Sequence, residues 1–119
     1  MPTYQHLTVS EYDDVMVVRF RGQHLIVSQW IVNKIGSELD EVADRPGCRK
    51  LVVDFFGVVD LSSFMLGLVV MLRKKMASKK GHLVLCGLSP EVREFFDETM
   101  LSQILDIRES ETDAFAALV

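Results

Sequence analysis

Apolar and polar positions along this chain change period several times, and each change marks an element. Leu7 and Val9 alternate with polar residues, Glu11-Tyr12-Asp13-Asp14 has turn chemistry, and Val15-Met16-Val17-Val18-Arg19-Phe20 returns as a second extended run. This pattern predicts a hairpin, closed by Gly22. From Gln29 to about Ala43 the period lengthens: Ile31, Ile35, Leu39 and Val42 recur at helical spacing. Ser28 is placed to cap that helix and Pro46-Gly47 to end it. Gly36 inside it costs about 1 kcal/mol relative to alanine, so it marks a point of close packing. Lys50 to Asp54 is a short, continuous apolar run, as expected of a strand buried in a parallel sheet.

A helix from Ser63 to about Ser78 comes next, stopped by Gly81, and His82-Leu83-Val84-Leu85-Cys86 is another strand. Ser89-Pro90-Glu91 opens a further helix with a cap, a proline at the first helical position and an acid facing the positive end. Val92, Phe95 and Phe96 form its apolar face. Ile104 to Ile107 is expected as a short final strand. Ser110-Glu111-Thr112-Asp113 resembles a capping box and opens a C-terminal helix with Phe115 and Leu118. Strands alternating with helices imply right-handed crossovers. The expectation is one α/β domain over residues 1–119: a mixed, mostly parallel sheet with an N-terminal hairpin, covered by about four helices.

Composition narrows the function. The chain has 119 residues, of which 49% are hydrophobic and 25% charged, enough for one domain with its own core. A net charge of −4 argues against nucleic acid as the partner. The one basic cluster, Arg73-Lys74-Lys75 with Lys79-Lys80, sits at a helix end, where positive charge suits the dipole. Cys48 and Cys86 lack CxxC spacing and are expected as free, reduced thiols. The apolar stretch Leu61 to Leu72 is too short to span a bilayer, and the N-terminus has no secretory pattern, so a cytoplasmic location is expected.

Candidate chemistry is sparse. His6, His24 and His82 keep no metal-ligand spacing with a carboxylate or cysteine; His6 and His82 fall in expected strands. No GxSxG, GxGxxG or Walker-type loop occurs, so neither catalysis nor a cofactor is expected. Asp13-Asp14 and Asp54 suggest a response-regulator receiver domain, but the acidic pair precedes its strand and no lysine follows Lys80.

The most telling stretch is Leu51 to Leu68: a buried strand, a tight loop, and an apolar helix that begins at Ser62-Ser63. The first turn of a helix has unpaired N–H groups and a partial positive charge. Either serine caps it, or one is presented to a partner or a kinase. The helix is apolar almost all round. Leu66, Val69 and Val70 would be covered by the sheet and a neighbouring helix, leaving Phe64, Leu68 and Met71 as interface candidates.

These residues resemble the STAS domains, the family of bacterial anti-anti-sigma factors and related modules. There a strand ends in Asp-Leu-Ser-Gly-Val, followed by Phe-Ile-Asp-Ser-Ser-Gly-Leu-Gly and an apolar helix. Asp54, Gly57, Val58, Leu61, Ser63, Leu66 and Gly67 match in register, and Leu88 to Val92, Phe95-Phe96 and Ser110 to Phe115 are also similar. The resemblance implies a non-enzymatic module that binds an anti-sigma factor or another STAS-pathway protein. It implies that Ser63 is the phosphorylation candidate, with Ser62 second. The interface candidates it adds are Ser62, Ser63 and Met65, beside Phe64, Leu68 and Met71. Two departures stand out. Ser62 replaces the family's Asp, and Met65 replaces a Gly, adding bulk beside the site. The loop Gly22 to Leu25 also lacks an acidic residue often found there. Because some STAS domains sense small ligands or nucleotides, a pocket near Ser62 and Gly87 is the alternative expectation.

Overall fold

The computed structural model describes residues 4–21, 24–25 and 29–118, with residues 24 and 25 described as backbone only. The cap expected of Ser28 and the strand closure expected of Gly22 lie outside the described residues, as does most of the Gly22 to Leu25 loop. Strands β1 (Leu7–Tyr12) and β2 (Val15–Phe20) form the N-terminal hairpin. Its turn is tighter than the sequence suggests, because Glu11 and Tyr12 belong to β1 and pair with Met16 and Val15. Asp13 takes up the reversal at φ 55°, a left-handed conformation that aspartate tolerates better than most residues. His6 falls just before β1 rather than inside it.

The remaining elements are β3 (His24–Leu25), α1 (Gln29–Ala43), β4 (Lys50–Asp54), β5 (Asp60–Leu61), α2 (Ser63–Ser78), β6 (His82–Cys86), α3 (Pro90–Glu98), β7 (Asp106–Arg108) and α4 (Glu111–Ala117). Five strands make one sheet in the order β1-β2-β4-β6-β7. β2 to β7 run parallel, and β1 alone is antiparallel within it. β3 and β5 form a separate parallel pair, too short for any sequence period to reveal. The last strand starts two residues later than expected. A 3-10 turn over Leu101–Gln103 precedes it, and Leu105 is buried as an anchor while Ile104 remains exposed.

Side chains alternate across the sheet with a period of two. Met16, Val18, Leu51, Val53, Leu83 and Leu85 face the main core, where α1, α2 and α3 supply Ile35, Leu39, Met65, Val69 and Phe96. Val15, Val17, Val52, Val84 and Cys86 face the other way, under Ala114 and Leu118 of the short helix α4 and its neighbourhood. The close packing expected at Gly36 is with α2: a Cβ there would lie 2.8 Å from Leu68 Cδ2. Lys75 fastens the same two helices by pairing with Asp40 at 2.5 Å and Asp44 at 2.8 Å.

Candidate functional site

The site is built where β4 ends. Two phenylalanines follow Asp54 and point in opposite directions. Phe55 is buried, with ring centroids 5.0 Å from Phe20 and 6.1 Å from Phe96. Phe56 is 83% exposed. The chain then reverses: Val58 N–H donates to the Phe55 carbonyl at 2.9 Å, with Gly57 at φ 86°. A positive φ at that position of a four-residue turn is what glycine supplies at low cost. Val58 returns to the core and Val59 turns outward.

Ser62 is the cap of α2. Its backbone is extended, and its Oγ accepts the Met65 N–H at 3.3 Å. The hydroxyl expected to divide its duty between cap and presentation is therefore resolved by position. Ser63 is the first helical residue and is exposed, beside a cap that Ser62 already provides. Phe64 and Met71 are exposed one above the other on the helix surface, two turns apart. Leu68 is only partly buried, because it packs on Gly36. Met65 is a correction. Its side chain is fully buried in the main core, so it presents no exposed surface beside Ser63. The helix places it on the same face as Leu66 and Val69, turned away from solvent.

Trp30, Phe56 and Val59 are exposed apolar residues that hydrophobic periodicity does not single out. For Phe56 a signal existed: a large apolar residue next to a turn glycine has no strand or helix face to occupy.

Beneath this surface lies an ionisable cluster. Arg19, Asp54 and Cys86 are register partners on β2, β4 and β6, all on the α4 side of the sheet. Asp54 is the buried charged residue of the described core, and its Oδ1 accepts the Phe56 N–H at 2.8 Å. Arg19 holds both oxygens of Glu111, at the start of α4, through two bonds of 2.7 Å, and donates to Ser10 Oγ at 3.2 Å. Burial, then a hydrogen bond with the Glu111 carboxylate, pushes the Asp54 carboxyl up to about 6. The Arg19 guanidinium instead holds Glu111 below its ordinary range. Burial, then the charge of Asp54, pushes the Cys86 thiol up to about 12. Arg19 and Asp54 were legible in principle, as ionisable residues in line with buried neighbours at the ends of two adjacent strands.

The receiver reading fails on this geometry. Asp14 pairs with Lys50 at the start of β4, whereas Asp54 closes its other end, roughly 13 Å away at the rise of a strand. The pocket expected near Ser62 and Gly87 is not among the main clefts of the described residues. Gly87 is closed over by the Asp54 carboxylate, and a groove of about 340 Å³ lies between α1 and α2 beside Gly36, Leu68 and Met71. Among the described residues no group of His, Cys, Asp and Glu is arranged to hold a metal ion.

The profile of the STAS domain family matches residues 6–114, nearly the whole of this fold. The chain belongs to the STAS domain family. A relative of this STAS domain is BtrV of Bordetella bronchiseptica, named as an anti-sigma factor antagonist. The two are 30% identical over 111 residues, covering 93% of this chain and 92% of BtrV. Among solved structures, an anti-sigma factor antagonist (STAS) domain protein from Planctomyces limnophilus superposes with a TM-score of 0.83 at 22% identity, covering 95% of this chain and 97% of that one. An anti-sigma factor antagonist from Mycobacterium paratuberculosis gives 0.80 at 23% identity, covering 94% and 92%. The fold of these relatives is the one described above: a mixed sheet with an antiparallel N-terminal hairpin and helices on both faces. No helix of this STAS domain, among the described residues, is long and apolar enough to cross a membrane.

Proposed function

We propose that this chain is an anti-sigma factor antagonist: a non-catalytic bacterial module that binds an anti-sigma factor, with Ser63 as the residue that regulates the contact. The observation that carries this reading is the division of labour between the two serines. Ser62 caps α2 and leaves Ser63 exposed at its first position, with Phe64 and Met71 exposed on the same helix and Phe56 and Val59 exposed on the preceding loop. Exposed apolar side chains on the helix and loop that carry an exposed hydroxyl suit a protein contact better than a catalytic site. A phosphate on Ser63 would add about −1.5 to −2 charge beside those side chains. The helix dipole tolerates it there, so the fold persists while a desolvated interface is lost. The burial of Met65 supports the same reading, since the residue replacing the family's glycine leaves the hydroxyl accessible.

The test is binding to the anti-sigma factor encoded nearest this gene, by calorimetry, with native protein, Ser63→Ala and Ser63→Asp. The expected result is native affinity for the alanine variant and a loss of about tenfold or more for the aspartate variant, corresponding to about 1.4 kcal/mol. Equal affinity of the aspartate variant would remove Ser63 from the contact. Incubation with the same partner and ATP, followed by mass spectrometry, reads phosphorylation at Ser63 directly.

A further inference from the structure

Helix α2 carries a glycine in its interior that nothing within the domain requires. Gly67 lies in the second turn of Ser63–Ser78 and is exposed. A glycine inside a helix favours the unfolded chain by about fivefold relative to alanine. Every other described glycine has a reason within the domain, either a positive φ or an atom that a Cβ would strike. Gly67 has neither: its φ is not positive, and a Cβ built on it meets nothing within 4 Å.

The position is the middle of the outward face. Met65, Leu66, Val69, Leu72 and Met76 are the buried residues of α2. At about 100° per residue, Gly67 falls opposite their mean direction. Its neighbours on that face are Ser63 and Phe64 one turn before and Met71 one turn after. Phe64 is 56% and Met71 67% exposed. Two apolar side chains thus stand on either side of bare helix backbone and leave a notch between them. Met71 also lines the groove between α1 and α2, so the notch opens to one side.

We propose that Gly67 is the seat of the anti-sigma factor on α2: an apolar side chain of the partner fills the notch between Phe64 and Met71 and rests on backbone that a Cβ would cover. This rests on the functional reading above, and names the chemistry of that contact, without requiring phosphorylation of Ser63. The occupant follows from the surroundings. Phe64 and Met71 offer apolar surface on both sides. Helix α2 contains no acidic residue, and Arg73 and Lys74 are exposed beyond Met71. Acids beside the partner's apolar side chain would meet these cations. The same face of a second copy brings cations and no acid. Close approach to backbone is a use of glycine that offsets its cost in a helix.

The test replaces Gly67 by alanine and by leucine, both strong helix formers, in the full chain. Neither should lower Tm, and Gly67→Ala should raise it by about 4 °C. Calorimetry with the anti-sigma factor encoded nearest this gene should show affinity lowered by about tenfold in Gly67→Ala, and further in Gly67→Leu. A lowered Tm in Gly67→Ala would show that the fold itself needs the glycine, and would overturn the inference. Native affinity in both variants overturns it as well, and leaves the functional reading standing because the native chain still binds. Absence of binding by the native chain removes that reading and this inference with it. Sedimentation of the chain alone reads the rival occupant: self-association that Gly67→Ala abolishes, with anti-sigma factor binding untouched, would assign the notch to a second copy. NMR of the native complex checks the seat without any substitution. Contacts from the Gly67 Hα protons to methyl or aromatic protons of the partner are expected, and their absence refutes the proposal.

Discussion

Replacing Gly87 by alanine tests whether the Asp54 carboxylate is as tightly enclosed as the geometry shows. Gly87 has φ 70°. An alanine forced into that conformation costs about 1–2 kcal/mol from its own backbone. The larger cost lies beyond the backbone. A Cβ at this position would overlap Asp54 Oδ1 and lie 3.0 Å from the Phe56 nitrogen. Asp54 is only 8% exposed and is tied to Phe56 at 2.8 Å, so it has no free space into which to retreat. Moving it leaves a buried donor unsatisfied, at about 1–3 kcal/mol. Gly87→Ala should therefore destabilise the domain by about 2–5 kcal/mol in all. Gly47 supplies the control, because it has φ 84° with nothing within 4 Å of a built Cβ. Gly47→Ala should cost only the backbone share, about 1–2 kcal/mol. Equilibrium urea unfolding with an unchanged m-value measures both. The double variant Asp54→Ala/Gly87→Ala should cost less than the sum of the singles, by about 1–2 kcal/mol, since removal of the carboxylate relieves the overlap. If Gly87→Ala is no worse than Gly47→Ala, the enclosure of Asp54 is refuted.

Ser62→Ala should lower stability by about 1 kcal/mol, while Ser63→Ala should be near neutral; unfolding midpoints of the two variants separate cap from presented hydroxyl, and equal losses would contradict the assignment. Phe64→Glu and Met71→Glu, both at exposed positions, should leave the urea midpoint nearly unchanged yet weaken anti-sigma factor binding, read by calorimetry. The stability of the domain should also depend on pH in a defined sense. Asp54 is raised in the folded state from 3.8 to about 6, so below pH 4 it is protonated in both states, and its contribution is lost as pH rises from about 4 to 6, by at most about 3 kcal/mol. Glu111 is lowered, so its contribution is present above its ordinary range and is lost on further acidification; unfolding curves at stepped pH should show the decline above pH 4 in native protein and not in Asp54→Asn. Cys48 and Cys86 are both buried and their thiols raised, first by burial, so a thiol reagent at pH 8 should label them only as fast as the domain opens.

Much of this architecture was legible in the chain itself, for reasons that are local. The helix over Gln29–Ala43 and the strands over Lys50–Asp54 and His82–Cys86 declare themselves by period, because an amphipathic face repeats with the geometry of its element. Ser89-Pro90 marks the start of α3 because its cap and fixed φ act within one turn. The resemblance of the segment after Asp54 to the STAS pattern was carried by its motif, and the family profile bears it out over residues 6–114. What the tertiary structure decided are relations between positions far apart in the chain. Nothing local separates Phe55 from Phe56; only the placement of Phe20 and Phe96 makes one a core residue and the other an exposed one. Met65 lay within the motif, but the packing of α2 on the sheet set its direction, and that direction is inward. Arg19, Asp54 and Glu111 are separated by up to 92 positions, and they become one charged group only when parallel register aligns β2 with β4 and α4 docks on the same face. The upward shift of the Asp54 carboxyl follows from that assembly, because its desolvation and the nearby Glu111 carboxylate exist only in the folded protein.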